Sequence, residues 1–255
     1  MDSKIKRRVK LIKQYLASFS KVKNSYFLSE RETINFLLQN HSSFIRFGDG
    51  EFNIMEGESI HYQQYNKKLA ESLIDMLDNY QLKSNSKNKK LLIGMPGYFL
   101  KQHGYYFLKS KILLMCWTNV RYLFKKKWDK DNIFGDAFVF GKGKESIYKD
   151  LWLKSSVNRI IFVHNNKKYA QKFQEKYDIK TLFVSVPSKN AYHEIESVIK
   201  KIEQIPQFNG SHTQILISAG PAAKILTYKL LEKGCWAIDT GHCWDDPLVK
   251  DPVIK

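Results

Sequence analysis

The chain has 255 residues, 43% apolar and 26% charged, which is the composition of one or two globular domains with a sizeable core and excludes a disordered chain. Lys plus Arg is 42 and Asp plus Glu is 25, leaving a formal net charge of +17, so phosphate, nucleic acid or an acidic membrane surface should attract it. Cys116, Cys235 and Cys243 are odd in number and form no CxxC pair, which argues against a disulfide framework or structural zinc and for a reducing compartment.

The basic opening, from Lys4 to Lys6, Arg7, Arg8 and Lys10, leads into no apolar h-region and does not read as a secretory signal. The longest apolar run, 112–117, is far short of the roughly 20 residues needed to span a bilayer. A soluble cytoplasmic protein is expected, with peripheral contact at the inner face of the plasma membrane as its one membrane option. Within 1–28, Ile5, Val9, Ile12 and Leu16 recur on one helical face and Lys or Arg cover the rest. That face should pack on the core; the other reading is attachment to anionic lipid.

From 29 onward a single α/β domain is expected to run to about 250. Ser29-x-x-Glu32 has the form of a capping box opening a helix through Leu38. A short apolar strand, Phe44-Ile45-Arg46-Phe47, runs into Gly48-Asp49-Gly50-Glu51, a glycine-rich turn carrying two carboxylates. Leu69, Leu73, Ile74 and Leu77 have helical spacing, and the lysine-rich stretch 79–90 reads as a surface loop. Leu91-Leu92-Ile93-Gly94-Met95 reads as a buried strand stopped by Pro96-Gly97. The aromatic, basic region 98–149, with Lys125-Lys126-Lys127-Trp128 in its middle, reads as an insertion.

Strands are then predicted at 159–163, 181–186, 214–219 and 235–238. Asn190 should cap a helix whose Ile195, Val198, Ile199 and Ile202 recur at i, i+3, i+4 and i+7. Pro221 is placed as the first helical residue of the next helix and Gly234 as its stop. Continuous apolar runs alternating with helices predict a Rossmann-like, mostly parallel sheet with helices on both faces.

Four segments end a predicted strand in polar or glycine-rich residues: 46–51, 187–190, 218–221 and 239–242. In open α/β sheets the ligand lies beyond the carboxyl ends of the strands, so the four describe one site. Asp49 and Glu51 could both face a hard divalent cation, Mn²⁺ or Mg²⁺, with His242 a further metal ligand or a general base. Gly220 before Pro221 leaves helix-start N–H groups for an anion, and Lys189 beside Asn190 could meet a phosphate and a base or ribose. No GxGxxG, GxxxxGK[ST] or HExxH occurs.

These residues resemble a known family. Ser43-Phe44-Ile45-Arg46-Phe47-Gly48-Asp49-Gly50-Glu51, Pro187-Ser188-Lys189-Asn190-Ala191-Tyr192, Ser218-Ala219-Gly220-Pro221-Ala222-Ala223 and Ala237-Ile238-Asp239-Thr240-Gly241-His242 are similar, in order, to motifs of the bacterial GT-D fold glycosyltransferases. The resemblance implies metal-dependent transfer of a sugar from a nucleotide-diphosphate donor, typically a UDP-sugar, to a glycan, glycoprotein or lipid-linked acceptor. Its Asp-x-Glu motif falls on Asp49 and Glu51, and Arg46, Gly48, Gly50, Lys189, Asn190, Gly220 and Pro221 are the implied donor-binding residues. Asp239, His242, Asp245 and Asp246 are candidates for the base that activates the acceptor. The chain departs from the family pattern at Phe140-Gly141-Lys142-Gly143, at His164-Asn165-Asn166-Lys167-Lys168 and after His242.

Two other classes compete. The charge and the Lys127-Trp128 pair suggest a nucleic-acid binder, although no RNA- or DNA-binding signature occurs. A metal-dependent phosphoesterase using Asp49 and Glu51 would need further Asp or His ligands.

Overall fold

The computed structural model describes residues 3–82 and 89–248. Its eight strands are β1 (Tyr26–Phe27), β2 (Ser43–Arg46), β3 (Leu91–Met95), β4 (Ile133–Asp136), β5 (Arg159–His164), β6 (Lys180–Ser185), β7 (Thr213–Ile217) and β8 (Trp236–Asp239). They form one sheet in the order β1-β4-β3-β2-β8-β7-β5-β6, and every neighbouring pair is parallel. Consecutive strand residues point to opposite faces, yet Phe44 and Ile45, Leu92 and Ile93, and Ile161 and Phe162 are all fully buried. Both faces are therefore covered, which is why these strands read as continuous apolar runs.

The helices are α1 (Ser3–Ala17), α2 (Glu30–Asn40), α3 (Asp49–Met55), α4 (Lys67–Asp78), α5 (Gly97–Lys101), α6 (Lys111–Leu123), α7 (Glu145–Tyr148), α8 (Asp150–Leu153), α9 (Lys167–Tyr177), α10 (Ile195–Glu203) and α11 (Ala222–Glu232). The predicted capping box is formed: Ser29 Oγ accepts from the Glu32 N–H and the Glu32 carboxylate accepts from the Ser29 N–H at 2.7 Å. None of the helices among the described residues is long and apolar enough to cross a membrane.

Several local expectations are corrected. Gly48-Asp49-Gly50-Glu51 is the N-cap and first turn of α3 rather than a free turn, because the Glu51 carboxylate reaches back to the Gly48 N–H at 2.8 Å. Asn190 caps no helix with its side chain; it sits in the left-handed region at φ 52° before a short 3-10 turn. Residues 83–88 of the expected loop lie outside the described residues, but Tyr80 and Leu82 are buried, with the Tyr80 hydroxyl donating to the Ile133 carbonyl at 2.9 Å. The 98–149 segment supplies β4, an interior strand of the sheet. Trp128 is buried and its indole N–H donates to Asp78 at 2.7 Å, so it offers no exposed stacking platform for a nucleobase.

The apolar stripe of α1 is not what packs. Ile5, Val9, Ile12 and Leu16 are exposed, and α1 docks on α6 through its other side, where Gln14 donates to Asn119 at 2.9 Å. Buried Arg121 decides this docking. Its guanidinium donates to the carbonyls of Ser18, Ser20, Phe99 and Leu100 at 2.8–2.9 Å and holds the exit of α1 against α6.

Candidate active site

The chain runs outward from β2 through β3 to β4, and the later strands return so that β8 lies against the other side of β2. A parallel sheet opens a crevice where the chain direction reverses, at the carboxyl ends of its strands. A cavity of about 320 Å³ lies on the β8 side of that junction, lined at the carboxyl ends of β5 (His164, Asn166), β7 (Ser218, Gly220) and β8 (Gly241, His242), with Pro187 and Ser188 following β6. Three of the four expected strand-end segments therefore share this cavity. The fourth, at β2, lies beside it behind Tyr62.

The floor under that junction is a buried charge cluster. Lys224, in the first turn of α11 and 4% exposed, places its ammonium 2.8 Å from Glu51 and 3.1 Å from Asp239. It also donates to the Gly220 carbonyl at 3.2 Å. Burial alone would depress this ammonium, but Asp239 and Glu51 outweigh it and hold Lys224 above the ordinary lysine range. Asp239, fully buried, accepts in addition from the N–H groups of Arg46 and Gly241, each at 3.2 Å. Arg46 donates to the Ala137 carbonyl at 2.9 Å, and its buried Nε finds no partner among the described residues. Glu51 and Asp239 thus hold the ends of β2, β8 and α11 together.

The other expected residues divide between lining and support. His242 and Asp245 are exposed at the cavity. Asp246 turns away and accepts from the Gly143 N–H at 2.7 Å. Lys189 is exposed outside the cavity wall, while Asn190 accepts from the Gln64 N–H at 2.8 Å and donates its own N–H to the Tyr62 carbonyl. Gly220 (φ +56°) lies flat against Tyr62: a Cβ there would stand 2.8 Å from the ring. Pro221 has helical dihedrals, and no side chain caps the start of α11, so the positive end of that helix faces the crevice uncovered. Asp49 is half-buried; burial, and after it the Asp49 carboxylate, raises the pKa of the Cys116 thiol on α6.

Sequence reasoning did not single out Tyr62, Lys224, His164 or Tyr169 as site residues. Tyr62 packs edge-on to His242 at 5.9 Å between ring centroids, and burial, then Glu51, push its phenol up. It sits in an irregular loop with no pattern to flag it. Lys224 did carry a signal, since a lysine inside the apolar run of α11 has to find a buried counter-charge.

The Glycosyltransferase GT-D fold family matches residues 44–246, well over half of the chain. The chain belongs to this family. It is 28% identical over 232 residues to the "Probable glycosyl transferase Gly" of Streptococcus gordonii, which covers 84% of this chain and 31% of that protein. It is 25% identical over 226 residues to "Glycosyltransferase GlyD" of Streptococcus pneumoniae serotype 4, covering 83% and 26%. The chain thus spans about a third or less of the length of these relatives. The fold is similar to that of a solved structure reported as "The highly conserved domain of unknown function 1792 has a distinct glycosyltransferase fold" (TM-score 0.71, 24% identity, 92% of this chain and 83% of that one). It is also similar to "A New Glycosyltransferase (DUF1792) from Streptococcus sanguinis" (TM-score 0.70, 21% identity, 87% and 82%).

Within the GT-D fold, this chain's departure at His164 has a defined geometry. His164 Nδ1 accepts from the Asn166 N–H at 3.0 Å, so the neutral ring carries its proton on Nε2. Its ring lies 4.4 Å from that of Tyr169, whose hydroxyl donates to Asp245. Burial lowers the His164 pKa below the ordinary imidazole range. Its folded value lies below its unfolded one, so its contribution to stability is complete above the unfolded imidazole range and is lost as pH falls below it. Melting temperature should therefore decline as pH falls through the ordinary imidazole range, and His164→Gln should flatten that slope. An unchanged slope in the variant would show that other groups set it.

The expected metal ligands do not form a preassembled set. Both Glu51 oxygens are engaged, one by Lys224 and one by the Gly48 N–H. His242 packs edge-on against Tyr62, 5.9 Å between ring centroids, and joins no such set. Among the described residues no three His, Cys, Asp or Glu side chains converge as metal ligands. Of the Asp-x-Glu pair, only Asp49 would be left to meet an ion, and such an ion would have to bring other oxygens with it.

Proposed function

We propose that this GT-D chain transfers a sugar from a nucleotide-diphosphate donor, a UDP-sugar, to a glycan, glycoprotein or lipid-linked acceptor presented at an anionic membrane surface. The observation that carries the reading is the meeting of the β5, β6, β7 and β8 ends in one polar cavity at the uncovered N-terminus of α11. A departing nucleoside diphosphate gains negative charge in the transition state, and a fixed helix terminus stabilises that charge more than it stabilises the bound donor. Asp49 would share a divalent cation, Mn²⁺ or Mg²⁺, with the diphosphate, and that ion supplies neutralisation of the leaving group. His242 and Asp245, exposed in the cavity, are the groups placed to take a proton from an acceptor hydroxyl. Asp239, ion-paired and out of solvent, positions Arg46 and Gly241 instead.

A phosphoesterase reading loses support because Asp49 and Glu51 are joined by no further ligands among the described residues. Thermal melting with UDP, GDP, CMP and ADP, each with and without Mn²⁺, tests the donor site. A nucleotide at about 100 Kd should add roughly 2.7 kcal/mol of stability. The shift should occur for UDP, require Mn²⁺ and vanish in Asp49→Ala, whose transfer rate should fall on the order of 10²-fold or more. A metal-independent UDP shift retained in Asp49→Ala would remove Asp49 and the ion from the site; no shift with any nucleotide would remove the donor reading.

A further inference from the structure

The α1 stripe is a surface in search of a partner. Ile5, Val9, Ile12 and Leu16 are 48%, 38%, 57% and 65% exposed, and on the adjoining segment Leu108 and Ile112 are 58% and 74% exposed. Single exposed apolar side chains are ordinary, but four along one side of one helix are not. At about 100° per residue the four fall within roughly 60° of arc, nearly opposite the side that docks through Leu11 and Gln14.

The charge around the stripe says what covers it. Helix α1 has six basic residues and no acidic one. Lys6 and Lys13 flank the stripe on one side and Arg8 on the other, all three exposed. On the side of α1 away from the stripe, a groove of about 550 Å³ against α6 is lined by Glu58 as well as Arg7, Arg8 and Lys111. Cations around an apolar strip suit a layer whose surface is anionic and whose interior is hydrocarbon. A second copy of this face would bring like charge against like charge in a chain of net +17. A nucleic acid would engage the cations and leave the isoleucines and leucine in water.

We propose that α1 is a docking surface for an anionic lipid bilayer, the apolar stripe entering the headgroup boundary and the flanking Lys6, Lys13 and Arg8 meeting lipid phosphates. This deepens the reading above by naming the surface that would bring the enzyme to a membrane-borne acceptor, and it rests on that reading for the acceptor alone.

The full chain is floated with phosphatidylcholine vesicles and with vesicles containing about one-third phosphatidylglycerol. Wild type should float with the second only and detach at high salt. Ile12→Asp with Leu16→Asp should lower the bound fraction about tenfold or more, and Lys6→Glu with Lys13→Glu should do likewise. All four side chains are exposed, and an unchanged melting temperature confirms folding. Equal flotation of wild type and the aspartate variant, or no flotation with either vesicle, overturns the proposal. So does a lipid-free dimer that the aspartate variant dissociates, which would assign the stripe to a second copy. The nucleotide-dependent melting shift should be the same in wild type and the aspartate variant. Its loss from both would sink the donor reading and leave lipid docking standing.

Discussion

Lys224→Met should unfold this protein more readily than any exposed charge reversal, by about 3–5 kcal/mol, which corresponds to roughly 10 °C in melting temperature for a chain of this size. The ammonium is the cation shared by Glu51 and Asp239, and methionine of similar length leaves two carboxylates inside the fold with only Arg46, 3.9 Å from Asp239, to balance them. Hydrophobic replacement of a whole buried ion cluster can be neutral, but removal of one partner is not. Chemical denaturation of Lys224→Met and of the triple variant Lys224→Met, Glu51→Gln, Asp239→Asn separates the two cases. The triple variant should recover part of the lost stability because the stranded charges are gone. A triple variant less stable than Lys224→Met would show that hydrogen-bond geometry, not uncompensated charge, dominates the cluster. The ammonium's contribution is complete below the ordinary lysine range and is lost as pH rises through its raised folded value.

Gly241→Ala should be nearly as damaging, and through a different route. Gly241 has φ +58°, and a Cβ there would stand 1.6 Å from Arg46 Nη2. The end of an arginine often swings away at little cost. This one is held by the Ala137 carbonyl at 2.9 Å, by Asp239 and by the Phe140 ring, 5.8 Å from Cζ to the centroid. The left-handed backbone costs about 1–2 kcal/mol for an L side chain, and losing the guanidinium's charged hydrogen bond costs about 1.5–3 kcal/mol. A double-mutant cycle with Arg46→Met checks the division: in that background Gly241→Ala should cost only the backbone part. An undiminished cost in the double variant would show that Arg46 is not what the glycine makes room for. Either way the loop that carries His242 shifts, so nucleotide binding should weaken alongside stability.

The strands and the site's segments were largely legible because their signals are local. The runs at 44–47, 91–95, 159–163 and 235–238 lie within a residue or two of β2, β3, β5 and β8, since a strand buried on both faces is apolar at every position. Ser29 and Glu32 announced the start of α2 because both partners of a capping box lie within four residues. The strand-end motifs pointed to one crevice because a parallel sheet brings its carboxyl ends to one edge.

What the motifs could not show was direction. Asp49 and Glu51 look equivalent as letters, yet the first turn of α3 sends Glu51 inward to Lys224, 173 positions along the chain, and leaves Asp49 half-buried beside Cys116 of α6. Asp239 and His242 are three residues apart, but one is sealed under Arg46 and Gly241 and the other is exposed at the cavity. Likewise the 3.6-residue period of α1 marks an apolar face but not whether a neighbour covers it; Arg121 and Asn119 of α6 settle that by gripping the opposite side. Sequence by itself determined the α/β class, the parallel sheet, the basic charge and the segments from which the site is built, because apolar periodicity, capping and turn chemistry act between near neighbours. Only the tertiary structure decided which carboxylates are spent on buried cations, which face the cavity, and which side of α1 is left to solvent, because desolvation and ion pairing depend on groups brought together from distant parts of the chain.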